Sequence, residues 1–152
     1  MQRAVVRQVM PVSAEAVFDV VHDLRVRLQW DTLLSEARMT RGSRQPGLGE
    51  TSLCRAKPWL GGIGIETRYV TFRPGEVAAV QMINHPPMFS SFNASIRHEA
   101  HEPGSLVVYT LNFEAQPRWL APLLEPVMLR VLEWETRKRL KSLARFLAGT
   151  PA

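Results

Sequence analysis

The chain has 152 residues, is 45% hydrophobic and 22% charged, and carries a formal net charge of +5. That is one domain of ordinary globular composition, long enough to bury roughly 70% of its unfolded surface without disulfides or metal. The single cysteine, Cys54, excludes an internal bridge, and no window approaches the ~20 consecutive apolar residues of a membrane span.

Residues 3–10, "RAVVRQVM", alternate as a strand that Pro11 closes. Arg3 and Arg7 interrupt this apolar start, so it does not read as a signal peptide, and the expectation is a cytoplasmic protein. Ser13 suits a helix N-cap and Glu15 the first turn, although Ala16 leaves the capping box incomplete. Val17, Phe18, Val20, Val21 and Leu24 then give helical spacing, and a second short turn near Val26 to Gln29 leads to Trp30.

From Ser35 to Gln116 the texture changes to segments that alternate with period two, separated by Pro- and Gly-bearing turns such as "RQPGLGE", "RPGE" and "EPGS". Ile63, Ile65, Thr67 and Tyr69 share one face, as do Phe92, Ala94, Ile96 and His98, and Val107, Tyr109, Leu111 and Phe113. This is an antiparallel meander of six strands, beside the first one. After Pro117, Pro122 and Pro126 the chain lacks proline until position 151, so a long helix is expected from near Pro126. Leu129, Leu132, Thr136, Leu140, Leu143 and Leu147 form its apolar stripe, and Gly149 marks a plausible end. Val127, Val131 and Trp134 lie on its opposite side, which calls for a covering loop or a second copy, a monomer or a homodimer.

The implied class is α+β: a seven-stranded curved antiparallel sheet, two short helices after the first strand, and a long C-terminal helix over the concave face. Such a sheet curls, and one helix ~10 Å across cannot fill its concavity. An apolar cavity for a small hydrophobic molecule is the natural result.

The run "PVSAEAVFDVVHDLRVRLQWD", with Pro11, Ser13, Val17, Phe18, Asp23 and Trp30 at its marked positions, resembles the N-terminal signature of the START-like (SRPBCC, Bet v 1-like) helix-grip superfamily. It is most similar to the branch described as polyketide cyclase/dehydrase and lipid-transport-like, and the resemblance covers residues 1–152 as one domain. It implies the helix-grip fold and a ligand cavity between sheet and helix. Because one fold hosts carriers, receptors and cyclases, it does not by itself decide the function.

The cavity residues expected on this reading are Trp30, Ile65, Tyr69, Phe92, Ile96, Tyr109, Leu111, Phe113, Leu129, Leu132 and Thr136. Trp30 is expected to cap the core beside the closed end, its indole N–H needing a partner. Three functions compete. The first is binding, transport or sequestration of a lipid, polyketide or aromatic ligand. The second is cyclase, aromatase or dehydratase chemistry using Tyr69, His98 or Tyr109 for proton transfer; the plainer view makes both tyrosines wall residues and His98 a solvated strand end. No carboxylate is expected on the inner face. The third is contact of the basic face Arg130, Arg137, Lys138, Lys141 and Arg145 with a protein or an anionic membrane. Nucleic acid is not expected, since aromatics do not interleave with the basic residues. "HEAH" in a strand points His98 and His101 to opposite faces, so no metal is expected; the glycine-rich turns lack a phosphate-loop context, so neither is a cofactor.

Overall fold

The computed structural model describes residues 1–149. The elements in chain order are β1 (Gln2–Met10), α1 (Ala14–Val21), α2 (Arg27–Trp30), β2 (Leu34–Thr40), β3 (Thr51–Ala56), β4 (Gly64–Arg73), β5 (Val77–Met82), β6 (Phe89–His101), β7 (Gly104–Ala115) and α3 (Ala121–Ala148). The seven strands form one antiparallel sheet in the order β1-β7-β6-β5-β4-β3-β2. β1 and β2 follow one another in sequence yet occupy opposite edges. The chain between them must therefore cross the sheet, and α1 and α2 make that crossing.

Curvature has local causes. The ladder shifts register between Leu34 and Glu36, between Tyr69 and Thr71, and between Phe89 and Ser91. Each irregularity bends and twists its strand. The inner face follows the period-two pattern: Val107, Tyr109, Leu111 and Phe113 on β7 are buried, as are Ala94, Ile96 and His98 on β6. At the start of α1 the Ser13 hydroxyl accepts the Ala16 N–H at 3.3 Å, and Val17, Phe18 and Val21 are turned into the core.

α3 is longer than the proline pattern predicts. It runs without a break from Ala121, with Pro126 inside it. The proline withdraws one i→i−4 bond from the second turn, where Pro126 itself, Leu123 and Val127 are exposed. Further along, Thr136, Leu140, Leu143 and Leu147 are buried, and the three leucines join Ala4, Val6 and Met10 of β1 in one core cluster. Gly149 is the C-cap; its N–H reaches Arg145 O at 3.0 Å with φ of −86°, so no left-handed residue is needed.

One glycine has no substitute. The β6–β7 hairpin passes against the end of β1, and a Cβ on Gly104 would run into the Met10 carbonyl oxygen. The adjacent Ser105 hydroxyl donates to Val12 O at 2.8 Å and fixes the same approach. Gly104→Ala is expected to destabilise the fold by roughly 3 kcal/mol, the upper end for overpacking, because the obstructing atom is backbone. An unfolding free energy, read from urea titration, that falls by less than about 0.3 kcal/mol would contradict that account.

Candidate ligand cavity

A cavity of about 380 Å³ lies between the concave face of the sheet and the N-terminal half of α3. Ile65 on β4, Phe92, Ala94 and Ile96 on β6, and Leu111 on β7 contribute apolar wall. Phe89, Met128 and Leu132 carry the wall across to α3. The exposed lining residues Val127, Val131 and Met88 place the mouth beside the first turns of α3. Half-buried Leu60, in the 3₁₀ turn Pro58–Leu60 after β3, also lines it.

The opposite end is polar and buried. Asp31, at the C-terminus of α2, is 2% exposed. Its Oδ2 accepts Arg27 Nε at 2.8 Å and Arg139 Nη2 at 3.0 Å; its Oδ1 accepts Arg139 Nε at 2.9 Å and the Leu33 N–H at 3.1 Å. Arg27 also donates from Nη1 to Val21 O at 3.2 Å. Arg27 and Arg139 both line the cavity. Arg27 stacks over the Trp30 ring at 5.0 Å and Arg139 over the Tyr109 ring at 5.2 Å. Burial pushes the Asp31 carboxyl up, but Arg139 and Arg27 more than reverse this and hold it below the ordinary carboxylate range. For Arg139 burial disfavours the charge and Asp31 outweighs it, so its affinity for the proton is raised.

Beside this cluster, Tyr69 and His22 share a hydrogen bond of 2.9 Å between the hydroxyl and Nδ1, and both line the cavity. Burial first, then Arg27 and His98, lowers the His22 pKa to about 3, so the ring is neutral. Burial likewise raises the Tyr69 hydroxyl and the Cys54 thiol, the latter also on the wall. Behind them, Phe72 meets Phe18, His22 and Tyr69 edge to face, and His22 meets Tyr69 in the same way.

Of the residues expected from sequence, Ile65, Tyr69, Phe92, Ile96, Tyr109, Leu111 and Leu132 come together on this wall, and Trp30, Phe113, Leu129 and Thr136 are not part of it. Trp30 is core, 2% exposed, and its indole N–H has no partner. Phe113 packs behind the wall with Phe89 and Met128, and Leu129 packs against the same cluster. Thr136 is wholly buried among the residues of α3's inner stripe. His98 is not a solvated strand end: it is 6% exposed, meets Phe18 edge to face at 5.5 Å, and neither ring nitrogen has a hydrogen-bond partner among the described residues. It lies off the wall, and burial lowers its pKa to about 4. No carboxylate from the strands is on the lining; the carboxylates at the cavity come from the helices. Glu135 is on the wall, engaged by Lys138 at 3.2 Å, and Asp31 is off the wall, held by the lining residues Arg27 and Arg139.

Sequence reasoning missed Arg27, Asp31, Arg139 and His22. Two signals were present. Arg27 and Asp31 have the i,i+4 spacing of a helical ion pair. Arg139 sits three residues after Thr136 and one before Leu140, within the apolar stripe rather than on the neighbouring basic face.

The sequence model for "Polyketide cyclase / dehydrase and lipid transport" matches residues 1–148. The chain belongs to that family. No curated protein matches the sequence. Solved structures of the fold do. A protein from Thermus thermophilus superposes with a TM-score of 0.82 at 14% identity, covering 98% of this chain and 100% of that one. The Zhui aromatase/cyclase from a Streptomyces species gives 0.78 at 13% identity, over 97% and 93% of the two chains. A START superfamily protein from Mycobacterium smegmatis gives 0.72 at 14%, over 96% and 97%. At such identities the likeness is one of fold: the START/Bet v 1 helix-grip. Among the described residues no helix is long and apolar enough to cross a membrane.

The buried groups define two outcomes. Asp31→Asn leaves two guanidiniums facing each other without a counter-charge and is expected to cost about 3–5 kcal/mol, read from denaturant unfolding. His22 and His98 have folded pKa values of about 3 and about 4, below an unfolded histidine near 6.5. Between those limits the unfolded chain binds protons the folded chain does not, so stability falls as pH drops from about 6.5 to about 4. Above about 6.5 the contribution is complete. Each imidazole adds at most ~1.4 kcal/mol per pH unit. His98→Phe is expected to flatten the profile in this window; an unaltered slope would show that the ring is not held neutral.

Proposed function

We propose that the protein binds one small, largely apolar molecule between the sheet and the N-terminal half of α3. The observation that carries this reading is the 380 Å³ cavity itself, with an apolar wall, a polar inner end and a mouth at Val127 and Val131. Pockets of this size and character are those that hold small ligands. The space corresponds to about a dozen waters at ~30 Å³ each, hence a ligand of about a dozen non-hydrogen atoms. Family membership is consistent with transport or sequestration of such a ligand. A single unpaired thiol, Cys54, is compatible with a cytoplasmic setting.

Cyclase or dehydratase chemistry is the second reading, favoured by the Tyr69–His22 hydrogen bond on the cavity wall and by the Tyr109 hydroxyl on the same wall. Two features weigh against it. A His22 pKa of about 3 makes a feeble base at neutral pH, and a raised Tyr69 pKa a feeble acid. If this reading holds, Tyr109→Phe or His22→Ala lowers turnover of a polyketone by ~10²-fold.

Binding is tested by native mass spectrometry and calorimetry with medium-chain alcohols, acids and aromatic polyketides. Ile65→Trp places an indole in the cavity and is expected to weaken any binder at least tenfold while the protein stays folded. Failure of every compound to bind the wild-type protein rejects the reading.

A further inference from the structure

The inner end of the cavity has more positive than negative charge. Arg27 and Arg139, both on the lining, share the single carboxylate of Asp31, while Glu135, also on the lining, pairs with Lys138 outside it. With Glu135 engaged by half-exposed Lys138, the excess of one positive charge falls on the two buried arginines. Asp31 has no capacity left: its two oxygens already accept four hydrogen bonds, as many as a carboxylate takes. The arginines do have capacity. Arg27 uses Nε and Nη1, and Arg139 uses Nε and Nη2; neither Arg27 Nη2 nor Arg139 Nη1 has a protein partner among the described residues. Both side chains are under a tenth exposed, so bulk water screens neither. A buried guanidinium with an unused N–H edge on a cavity wall is a site for an oxyanion.

We propose that the ligand is a monoanionic acid whose carboxylate takes the unused N–H edges of Arg27 and Arg139, with an apolar tail of about ten carbons running toward Val127 and Val131. This rests on the ligand-binding reading above and specifies the ligand's head. One unit of excess charge matches a carboxylate; a phosphate monoester carries nearly two and would leave an excess of negative charge. Tyr109, also on the wall, has its ring 5.2 Å from the Arg139 guanidinium at the same end. An amine would meet two like charges.

The test is calorimetry at neutral pH with decanoate, decanol and decylamine, which share a tail and differ in the charge of the head. Decanoate is expected to bind at least tenfold tighter than decanol, and decylamine weaker than both. Arg139→Met and Arg27→Met each leave a one-to-one pair with Asp31, and each is expected to collapse the acid-over-alcohol preference toward unity. Equal affinity for acid and alcohol in the wild-type protein overturns the proposal while leaving the ligand-binding reading intact. Binding of none of the three overturns both. The wild-type comparison decides the matter even if one arginine variant does not fold.

Discussion

The rest of the structure depends on the shared carboxylate of Asp31. It joins α1, α2, the approach to β2 and α3 at one point. Arg27 belongs to α2 and reaches back to the end of α1 through Val21 O. The Leu33 N–H leads into β2, and Arg139 lies 108 residues away on α3. Removing three charges from water costs several kcal/mol each, and the gain from pairing repays this only with good geometry and full hydrogen bonding. Here Asp31 has both. Apolar side chains of similar volume would pack without that cost, but they would let α3 slide or rotate over the sheet. A two-pronged contact from Arg139 permits one axial position and one rotation, which set the height of the roof over the cavity.

Seen from that clamp, α3 has two halves with different tasks. Beyond Arg139, Leu140, Leu143 and Leu147 seal the helix onto β1 and the sheet as ordinary core. Before it, the helix stands over the cavity. Its residues there are apolar toward the ligand space and apolar toward solvent: Met128 and Leu132 face in, while Leu123 and Trp134 are exposed. This accounts for a helix half that looks apolar all round. No single covering element is needed to explain the inward side, because the cavity is what it faces.

How much of this was legible in the sequence follows from what each signal encodes. Period-two alternation reports which side of a strand faces the core, and it placed Ile65, Tyr69, Phe92, Ile96, Tyr109 and Leu111 on the inner face. It does not report whether an inner residue meets empty space or another side chain. Phe113 and Ile65 look alike in sequence, yet one is sealed behind Phe89 and the other lines the wall. Charged residues are the harder case. Arginine is so seldom buried that surface is the default assignment. Only the position of Arg139 inside a leucine stripe, and the partner supplied by distant Asp31, overrule it. The Trp30–Asp31 pair shows the same asymmetry: the large indole draws notice, while the small carboxylate beside it organises the site.

The net charge of +5 therefore has two physically distinct parts. Arg137, Lys138 and Lys141 are on the outer face of α3, and two of them pair within the helix with Glu133 and Glu135. Such exposed charges act weakly and are screened over ~8 Å at physiological salt. Arg27 and Arg139 act at short range in a poorly screened interior, where one unmatched charge is worth far more. A basic composition alone suggests long polyanions as partners. Here the positive charge that matters most faces a cavity with room for about a dozen atoms, and no polymer can reach it. Charge on the outer face and charge on the cavity wall therefore respond differently to salt, which screens the first far more than the second.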